Sequence, residues 1–231
     1  TNNEEFMIKD LLLNFIKDYK ITLTENQYEQ FQKYFELLVE WNEKMNLTAI
    51  TDESGVALKH FADSLSLLNF VDIPQNSTLA DVGTGAGFPG VVLKIARPDI
   101  KLTLIDSLNK RLVFLNEVCS QLDIDAELIH SRAEDGARDE KLRESFDFVA
   151  SRAVARMNVL SEYCLPYVKV GGAFCAMKGA QANEEFKESL NAINTLGGKL
   201  ENKYFFELPE NGGERAIAVV RKVRNTPQKY P

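Results

Sequence analysis

The sequence lacks the features that mark membrane, secreted and disulfide-bonded proteins. No segment approaches 18 uninterrupted apolar residues, and charged residues interrupt the first twenty positions, so the sequence predicts neither a membrane span nor a secretory signal. The cysteines are odd in number and far apart: Cys119, Cys164 and Cys175. Because such a set matches no disulfide framework and no zinc motif, we expect reduced thiols in a cytoplasmic protein.

Motifs of several enzyme classes are missing as well. The chain has neither the Gly-x-Ser-x-Gly turn of serine hydrolases nor a phosphate-binding loop that ends in Gly-Lys-Ser/Thr. Its two histidines, His60 and His130, lie 70 residues apart, and neither has a second histidine one helical turn away. We therefore expect no metal site, and we interpret His60 as a hydrogen-bonded packing residue.

Size and charge describe a globular protein with a locally basic end. The 231 residues are enough for one large α/β domain with a small appendage. The net charge of −7 argues against a general nucleic-acid coat, but positions 215–231 carry five Lys/Arg and no acid, whereas positions 1–70 carry six Lys/Arg against twelve Asp/Glu. The basic end indicates either contact with phosphates or a solvated edge strand.

The most informative stretch runs from Asp81 to Gly90 and contains a glycine-rich turn. A short apolar run precedes the turn and another follows it, which predicts the order strand, turn, helix. Gly83, Gly85 and Gly87 remove side chains where the backbone bends and where a ligand must approach the main chain, and we expect the amides of the turn to point at that ligand. The alternative is a tight turn that binds nothing.

An acidic residue at the tip of the next predicted strand indicates a nucleoside ligand. Asp106 closes the following apolar run, 23 residues after Gly83, where a ribose would present its hydroxyls. Phe88 occupies the position where a dinucleotide-binding turn has its last glycine, so the pattern favours S-adenosylmethionine over NAD. For Asp106 taken alone, capping of the helix that begins at Asn109 is the alternative.

Periodicity predicts an N-terminal helical part. Apolar residues recur at helical spacing over 4–19, and a second helix follows a capping box formed by Thr24 and Gln27 and ends in the stretch 41–48. Further helical spacing covers 54–69. We therefore divide the chain into an N-terminal helical cap, residues 1–72, and a second domain, residues 73–231.

The second domain alternates predicted strands with predicted helices. Strands are expected at 78–82, 101–106, 126–130, 146–151 and 172–177, helices at 88–96, 109–122, 157–164 and 183–195, and a short helical or loop stretch at 133–144. This alternation predicts a parallel sheet with helices on both faces. Two final strands, 199–208 and 215–222, form a hairpin. A mostly parallel, Rossmann-like sheet closed by an antiparallel C-terminal hairpin is the arrangement of class I methyltransferases.

Cations follow the predicted strands on the side where a ligand binds. In an open α/β sheet the ligand lies beyond the carboxyl ends of the strands, which is where Arg152 and Lys178 fall. Arg152 and Arg156 stand four residues apart at the predicted start of a helix, so we expect them to share a face and to meet a cofactor carboxylate or a substrate phosphate. A surface ion pair is the alternative for each. Ala133 and Glu134 are placed to flank an adenine.

Taken together, the motifs resemble one family, the ribosomal small-subunit methyltransferase G family, also called glucose-inhibited division protein B. The likeness covers nearly the whole chain. Its motifs are Trp41-Asn-x-x-x-Asn46-Leu-Thr48, His60-x-x-Asp63-Ser64-Leu65, Asp81-Val-Gly-Thr-Gly-Ala-Gly-Phe-Pro89, Asp106-Ser-Leu-x-Lys110-Arg111, Arg132-Ala-Glu134, Ser151-Arg-Ala-Val-Ala155 and Lys229-Tyr-Pro231.

The resemblance implies methyl transfer from S-adenosylmethionine to N7 of one guanine in bacterial 16S ribosomal RNA, near the decoding site. We also expect the protein to be a monomer. The cofactor-binding residues expected from the likeness and from the turn are Gly83, Gly85, Phe88, Asp106, Ser107, Ala133, Glu134 and Arg152. The residues expected to bind RNA are Arg156, Lys178, Arg215, Arg221, Lys222, Arg224 and Lys229. No catalytic base is expected, because guanine N7 already carries a free lone pair.

Three other functions remain compatible with the residues alone. A methyltransferase acting on a protein or a small metabolite would have the same fold. A nicotinamide-dependent oxidoreductase would keep the glycine turn but lack the terminal hairpin. A noncatalytic RNA-binding or assembly protein would keep the turn for stability only.

Overall fold

The computed structural model describes residues 7–231, so the predicted helical positions 4–6 lie outside the described residues. The helices are α1 (Met7–Phe15), α2 (Glu25–Met45), α3 (Glu53–Val56), α4 (Asp63–Phe70), α5 (Gly90–Ala96), α6 (Asn109–Leu122), α7 (Ala133–Gly136), α8 (Met157–Cys164) and α9 (Ala182–Thr195). The strands are β1 (Thr78–Val82), β2 (Lys101–Asp106), β3 (Ala126–His130), β4 (Phe146–Arg152), β5 (Val168–Lys178), β6 (Gly198–Glu207) and β7 (Glu214–Lys222). A π-helical segment, Ala57–Ala62, joins α3 to α4, and a 3₁₀ turn, Leu165–Tyr167, follows α8.

The seven strands form one sheet in the order β3-β2-β1-β4-β5-β7-β6. The pairs from β3 to β5 are all parallel, and β7 runs antiparallel to both β5 and β6. The strand order reverses between β1 and β4, which is where ligands bind in open α/β sheets. This topology confirms the predicted mostly parallel sheet with a C-terminal antiparallel hairpin.

Each face of the sheet is covered by helices. Alternate strand residues point to opposite faces, so Leu79 and Leu104 belong to one apolar cluster while Ala80 and Ile105 belong to the other. The first cluster contains the buried residues of α1, α2, α4, α5 and α6, and the second those of α8 and α9. The N-terminal helices thus share a core with the sheet, and the division at residues 72 and 73 stays a prediction.

Most predicted boundaries of helices and strands agree with the structure, and two helices differ from their predicted ranges at one end. The predicted capping box is present, since the side chains of Thr24 and Gln27 each accept a hydrogen bond from the other's backbone N–H. α1 ends at Phe15, before the predicted position 19. α5 begins at Gly90, two residues after the predicted start, because Phe88 and Pro89 still belong to the turn. No helix within residues 7–231 is both long and apolar enough to cross a membrane.

Candidate active site

A cleft of about 530 Å³ lies at the carboxyl ends of the parallel strands. It is formed by the residues that follow β1, β2, β3 and β4, at positions 82–86, 105–107, 131–134 and 152–154. His60 and Thr48, from the N-terminal part of the chain, close one side. We call this cleft the first pocket. All eight residues expected to bind the cofactor line it.

The glycine turn provides space for a ligand, and its amides are turned inward. Gly83, Gly85 and Gly87 all have positive φ angles, of 70°, 59° and 105°. Their N–H groups donate to the Ile105 carbonyl, the Asp106 carboxylate and the Thr84 carbonyl. The prediction that these amides point at a ligand is therefore wrong, because the turn uses them to hold its own shape.

The buried carboxylate of Asp81 holds the glycine turn in place through two hydrogen bonds. Asp81 Oδ2 accepts from the Thr84 hydroxyl and from Gly90 N, both at 2.8 Å. Burial raises the pKa of Asp81 to about 6, while the two hydrogen bonds act in the opposite direction. A side chain at Gly90 would collide with Asp81 Oδ2, because an added Cβ would lie 2.8 Å from it. Asp81 thus ties the end of β1 to the start of α5.

Asp106 joins the glycine turn to the start of α6. Its side chain is 1% exposed and pairs loosely with Arg111 at 3.4 Å. One carboxylate oxygen accepts from Gly85 N and the other from Leu108 N, both at 2.9 Å. The carboxylate therefore fixes the backbone around the first pocket, and it still forms part of the wall. Its predicted contact with a ribose stays a prediction.

The residues expected to flank an adenine, Ala133 and Glu134, also line the first pocket. Ala133 opens the short helix α7, and its carbonyl accepts from the buried Tyr167 hydroxyl at 2.6 Å. The Glu134 side chain is 34% exposed and lies 3.6 Å from the Arg132 guanidinium. Ser107 is exposed at the end of β2. These side chains border the first pocket without entering the core.

Arg152 is the most heavily bonded side chain of the first pocket. Its guanidinium donates to the Lys59 carbonyl at 2.8 Å, to the Asp63 carboxylate at 3.2 Å and to His60 Nδ1 at 3.0 Å. It also lies over the Phe88 ring, 5.2 Å from the centroid. Phe88 in turn stacks on the His60 ring at 4.3 Å with an interplanar angle of 8°. One arginine thus joins β4, the glycine turn and the π-helical segment.

His60 is neutral, and its tautomer follows from its neighbours. Burial and the adjacent Arg152 cation lower the pKa of His60 to about 3. Because a guanidinium can only donate, Nδ1 accepts from Arg152, and Nε2 carries the proton that it donates to Thr48 Oγ1 at 2.8 Å. These contacts agree with the expectation of a hydrogen-bonded packing residue, but no local sequence pattern indicates that the ring lines the first pocket.

Three of the cations predicted to bind RNA lie near this edge of the sheet, and each has an acidic side chain within 4 Å. Arg156 does not share a helix face with Arg152, because it is the N-cap of α8 and turns outward to Glu188 at 2.7 Å. Lys178 donates to the Ala155 carbonyl and lies 3.2 Å from Glu185. Arg215 lies 3.4 Å from Asp63. All three lie beside the ends of β4, β5 and β7.

The remaining basic residues lie elsewhere. β7 runs antiparallel to β5 and pairs Ala216 with Lys178 but Arg221 with Ala173, so the chain after Arg221 continues at the edge opposite the first pocket. There the Arg221 guanidinium pairs with Glu201 at 2.8 Å, the Arg224 guanidinium donates to the Asn194 carbonyl, and the Lys229 ammonium lies over the Tyr230 ring. The basic end therefore does not converge with the cations near the first pocket.

The prediction that Lys222 binds RNA is wrong. Its side chain is fully buried, and its ammonium donates to the Leu165 and Val168 carbonyls at 2.6 and 2.9 Å and pairs with Glu144 at 3.1 Å. An ammonium enclosed in this way cannot reach a phosphate, so Lys222 is a structural residue.

Sequence reasoning missed the role of α2. The buried Tyr34 hydroxyl donates to the Ala86 carbonyl at 2.5 Å, which joins α2 to the glycine turn. Tyr34 stacks on Phe88 at a centroid distance of 5.5 Å. A tyrosine on an apolar helix face gives no sequence signal for this contact. Within residues 7–231, no group of three or more His, Cys, Asp or Glu side chains is arranged to hold a metal.

The fold and the first pocket define the class of protein. The solved structure of precorrin-6y C5,15-methyltransferase from Geobacter metallireducens superposes with a TM-score of 0.50 at 14% identity, covering 70% of this chain and 86% of that one. TrmN from Thermus thermophilus superposes with a TM-score of 0.54 at 15% identity, covering 69% of this chain and only 48% of that one. With the strand order and the glycine turn, these likenesses establish the class I methyltransferase fold.

The family follows from closer matches. The family model described as rRNA small subunit methyltransferase G matches residues 27–212. The Ribosomal RNA small subunit methyltransferase G of Staphylococcus aureus (strain Newman) is 51% identical over 226 residues, covering 97% of this chain and 94% of its own. This chain belongs to the rRNA small subunit methyltransferase G family.

Proposed function

We propose that this chain transfers a methyl group from S-adenosylmethionine to N7 of a guanine in 16S ribosomal RNA near the decoding site, as a cytoplasmic monomer. The observation that carries the proposal is the first pocket, which stands at the reversal of strand order in a chain whose residues 27–212 match the rRNA small subunit methyltransferase G family. The N7 atom and the decoding-site position come from the family resemblance.

The residues of the first pocket fit a nucleoside cofactor. A Cβ built on Gly85 meets no atom within 4 Å, so this glycine faces open space inside the pocket. The Asp106 carboxylate would accept hydrogen bonds from the ribose hydroxyls, Ala133 and Glu134 would border the adenine, and Arg152 would pair with the cofactor carboxylate. When bound, S-adenosylmethionine would supply a methyl group on a positively charged sulfur. The lone pair of guanine N7 would form the new bond to the methyl carbon, and the electrons of the carbon–sulfur bond would stay on sulfur.

The reaction needs positioning and no proton acceptor. N7 has no proton to remove, and neutral His60 already uses both ring nitrogens, one with Arg152 and one with Thr48. Holding two reactants in line contributes roughly 7–11 kcal/mol in favourable cases. We expect the chain to act by this route, with the rigid turn around Asp81 and Asp106 fixing the donor.

Three measurements test the proposal. Calorimetric titration with S-adenosylmethionine and with NAD should show binding of the first compound only. Naked 16S ribosomal RNA, isolated small subunits and whole ribosomes should then be offered as substrates. Mass spectrometry of ribosomal RNA from cells with and without the protein should reveal one guanine that loses its N7 methyl group. An unchanged RNA, or a preference for NAD, would contradict the proposal.

RNA binding is assigned to the cations beside the first pocket. We expect Arg156→Ala and Lys178→Ala to weaken RNA binding and to reduce its dependence on salt, while cofactor affinity stays unchanged. A loss of cofactor affinity alone would reassign these two residues to the cofactor.

A further inference from the structure

A second pocket of about 300 Å³ adjoins the first and shares His60, Arg152 and Ala153 with it. It lies at the ends of β4 and β5 and at the start of β7. Its volume is at the lower end of the range for ligand pockets. Apolar side chains, among them Ile50, Met177 and Ile217, form part of its wall, so it can receive the flat face of a ring.

The charges of the second pocket are unequal. Lys59, Arg152, Lys178 and Arg215 line it, against a single acid, Asp63. Such a pocket suits a nucleotide, whose phosphates would meet the exposed Lys59 while its base lies between the apolar walls. Arg152 and Arg215 pair with Asp63 instead. A base reaches such a site only after it leaves its stack, as in other enzymes that modify bases.

We infer that the second pocket receives the acceptor guanine and that Asp63 reads it, by accepting hydrogen bonds from N1–H and from the 2-amino group. This inference rests on the proposed function. Guanine presents these two donors side by side, and a carboxylate is the side chain that accepts two parallel hydrogen bonds. Asp63 is therefore a specificity-determining residue of the methyl transfer.

The Asp63 carboxylate has enough lone pairs to accept two hydrogen bonds from guanine. Oδ2 accepts from Arg152 at 3.2 Å and Oδ1 lies 3.4 Å from the Arg215 guanidinium. A carboxylate has about four acceptor positions, so each oxygen keeps one after these two contacts with described residues. The Asp63 side chain is 8% exposed, and it lines the second pocket and not the first. The arginines hold the carboxylate still, which presents its free positions in a fixed direction.

The chemistry of the reaction favours an acid at this place. When N7 gains a methyl group the purine ring becomes positively charged, and its N1–H and 2-amino hydrogens become stronger donors. Hydrogen bonds to Asp63 therefore strengthen as the transition state forms, which lowers the barrier instead of only tightening binding. A cation in the same position would oppose the transfer.

Replacement of the acceptor guanine by inosine tests the inference, because inosine lacks only the 2-amino group. Small subunits would be assembled with either base at the acceptor position, located beforehand by mass spectrometry. The unaltered protein should prefer guanine by roughly tenfold to a hundredfold in kcat/KM, the effect of one hydrogen bond to a charged group. Asp63→Asn should lower the rate on guanine and reduce the preference to about threefold or less.

Two control variants separate recognition from support of the structure. Asp99→Asn removes an acid that pairs with Arg97 at 2.8 Å, two residues before the start of β2 and away from both pockets, and it should keep the full preference for guanine. Arg215→Ala leaves the carboxylate and its contact with Arg152, so it should weaken RNA binding and reduce the preference for guanine less than Asp63→Asn does.

Equal use of guanine and inosine by the unaltered protein would overturn the inference without any variant. An unchanged preference in Asp63→Asn would overturn it as well and would leave Asp63 with a structural role only. In both cases guanine is still methylated, so the proposed function stands. Absence of methylation on guanine-containing subunits would instead show that the proposed function itself is wrong.

Discussion

At the scale of single residues, the glycines of the turn have different tasks. A side chain at Gly83 would approach Val154 to 2.7 Å, and one at Gly90 would collide with Asp81, so these glycines allow close packing. Gly85 has open space beside it and a φ of 59°. Glycine thus allows close packing at Gly83 and Gly90 but leaves open space for a ligand at Gly85. The effect of a substitution therefore differs from one glycine to the next.

Gly85→Ala should weaken cofactor binding more than it weakens the fold. A positive φ costs a residue with a Cβ about 1 kcal/mol, and the new methyl group would project into the first pocket. Calorimetry with S-adenosylmethionine and thermal unfolding measure the two effects separately. Gly171→Ala is the matched control, since Gly171 has a φ of 93°, no atom near its Cβ position and no place in the first pocket. Equal cofactor affinity in both variants would contradict the assignment.

His60 should make the protein less stable in acid. Its pKa is lowered to about 3 in the folded chain from an ordinary value of 6.5, so the unfolded chain binds more protons between these values. Stability from this residue is therefore fully present above pH 6.5 and is lost as the pH falls toward 3. Denaturant titrations of the unaltered protein and of His60→Asn should diverge in this window, by at most about 1.4 kcal/mol per pH unit. Parallel pH profiles would show that His60 does not titrate as described.

At the scale of elements, the N-terminal helices complete the first pocket. The π-helical segment Ala57–Ala62 presents both the Lys59 carbonyl and the His60 ring to Arg152. Such wide helical turns are rare and occur frequently at functional sites. α2 contributes through Tyr34, and Gln27 of its first turn also donates to the carbonyls of Ile95 and Ala96 at the end of α5. The sheet alone would supply only part of the pocket wall.

Tyr34→Phe should loosen the glycine turn. The change leaves the Ala86 carbonyl without its donor, and an unsatisfied buried group costs about 1–3 kcal/mol. We expect a lower Tm and weaker S-adenosylmethionine binding in calorimetry. Tyr204→Phe is the control, because the Tyr204 hydroxyl makes no hydrogen bond to a described residue and β6 lies at the far end of the sheet. If both variants bind the cofactor as tightly as the unaltered chain, α2 does not control the turn.

At the scale of the whole molecule, the antiparallel β7 divides the basic end between two edges of the sheet. Arg215 and Arg221 are six residues apart in one strand, which places them roughly 20 Å apart. Only Arg215 lies beside the pockets. A cluster of cations in sequence is thus not a cluster in space.

RNA affinity should therefore respond to one end of β7 and not to the other. Arg215→Ala should lower the slope of log affinity against log salt concentration by about 1, the value for one lost phosphate contact. Arg224→Ala, at the opposite edge, should leave affinity and slope unchanged. Filter binding of small subunits over a range of salt concentrations measures both. Equal effects of the two variants would place the RNA across both edges.

The sequence alone determined the order of the elements, the class of fold and the position of the glycine turn. These depend on local patterns, namely apolar periodicity, glycines at a strand-to-helix turn and a capping box. Such patterns can be recognised in the sequence because they involve only residues close together in the chain. Only the tertiary structure decided that Lys222 is buried, that His60 and Tyr34 reach the first pocket and that Asp63 faces the second. Those facts depend on contacts between residues as much as 152 positions apart, such as Asp63 with Arg215, which chain folding creates and no local spacing encodes.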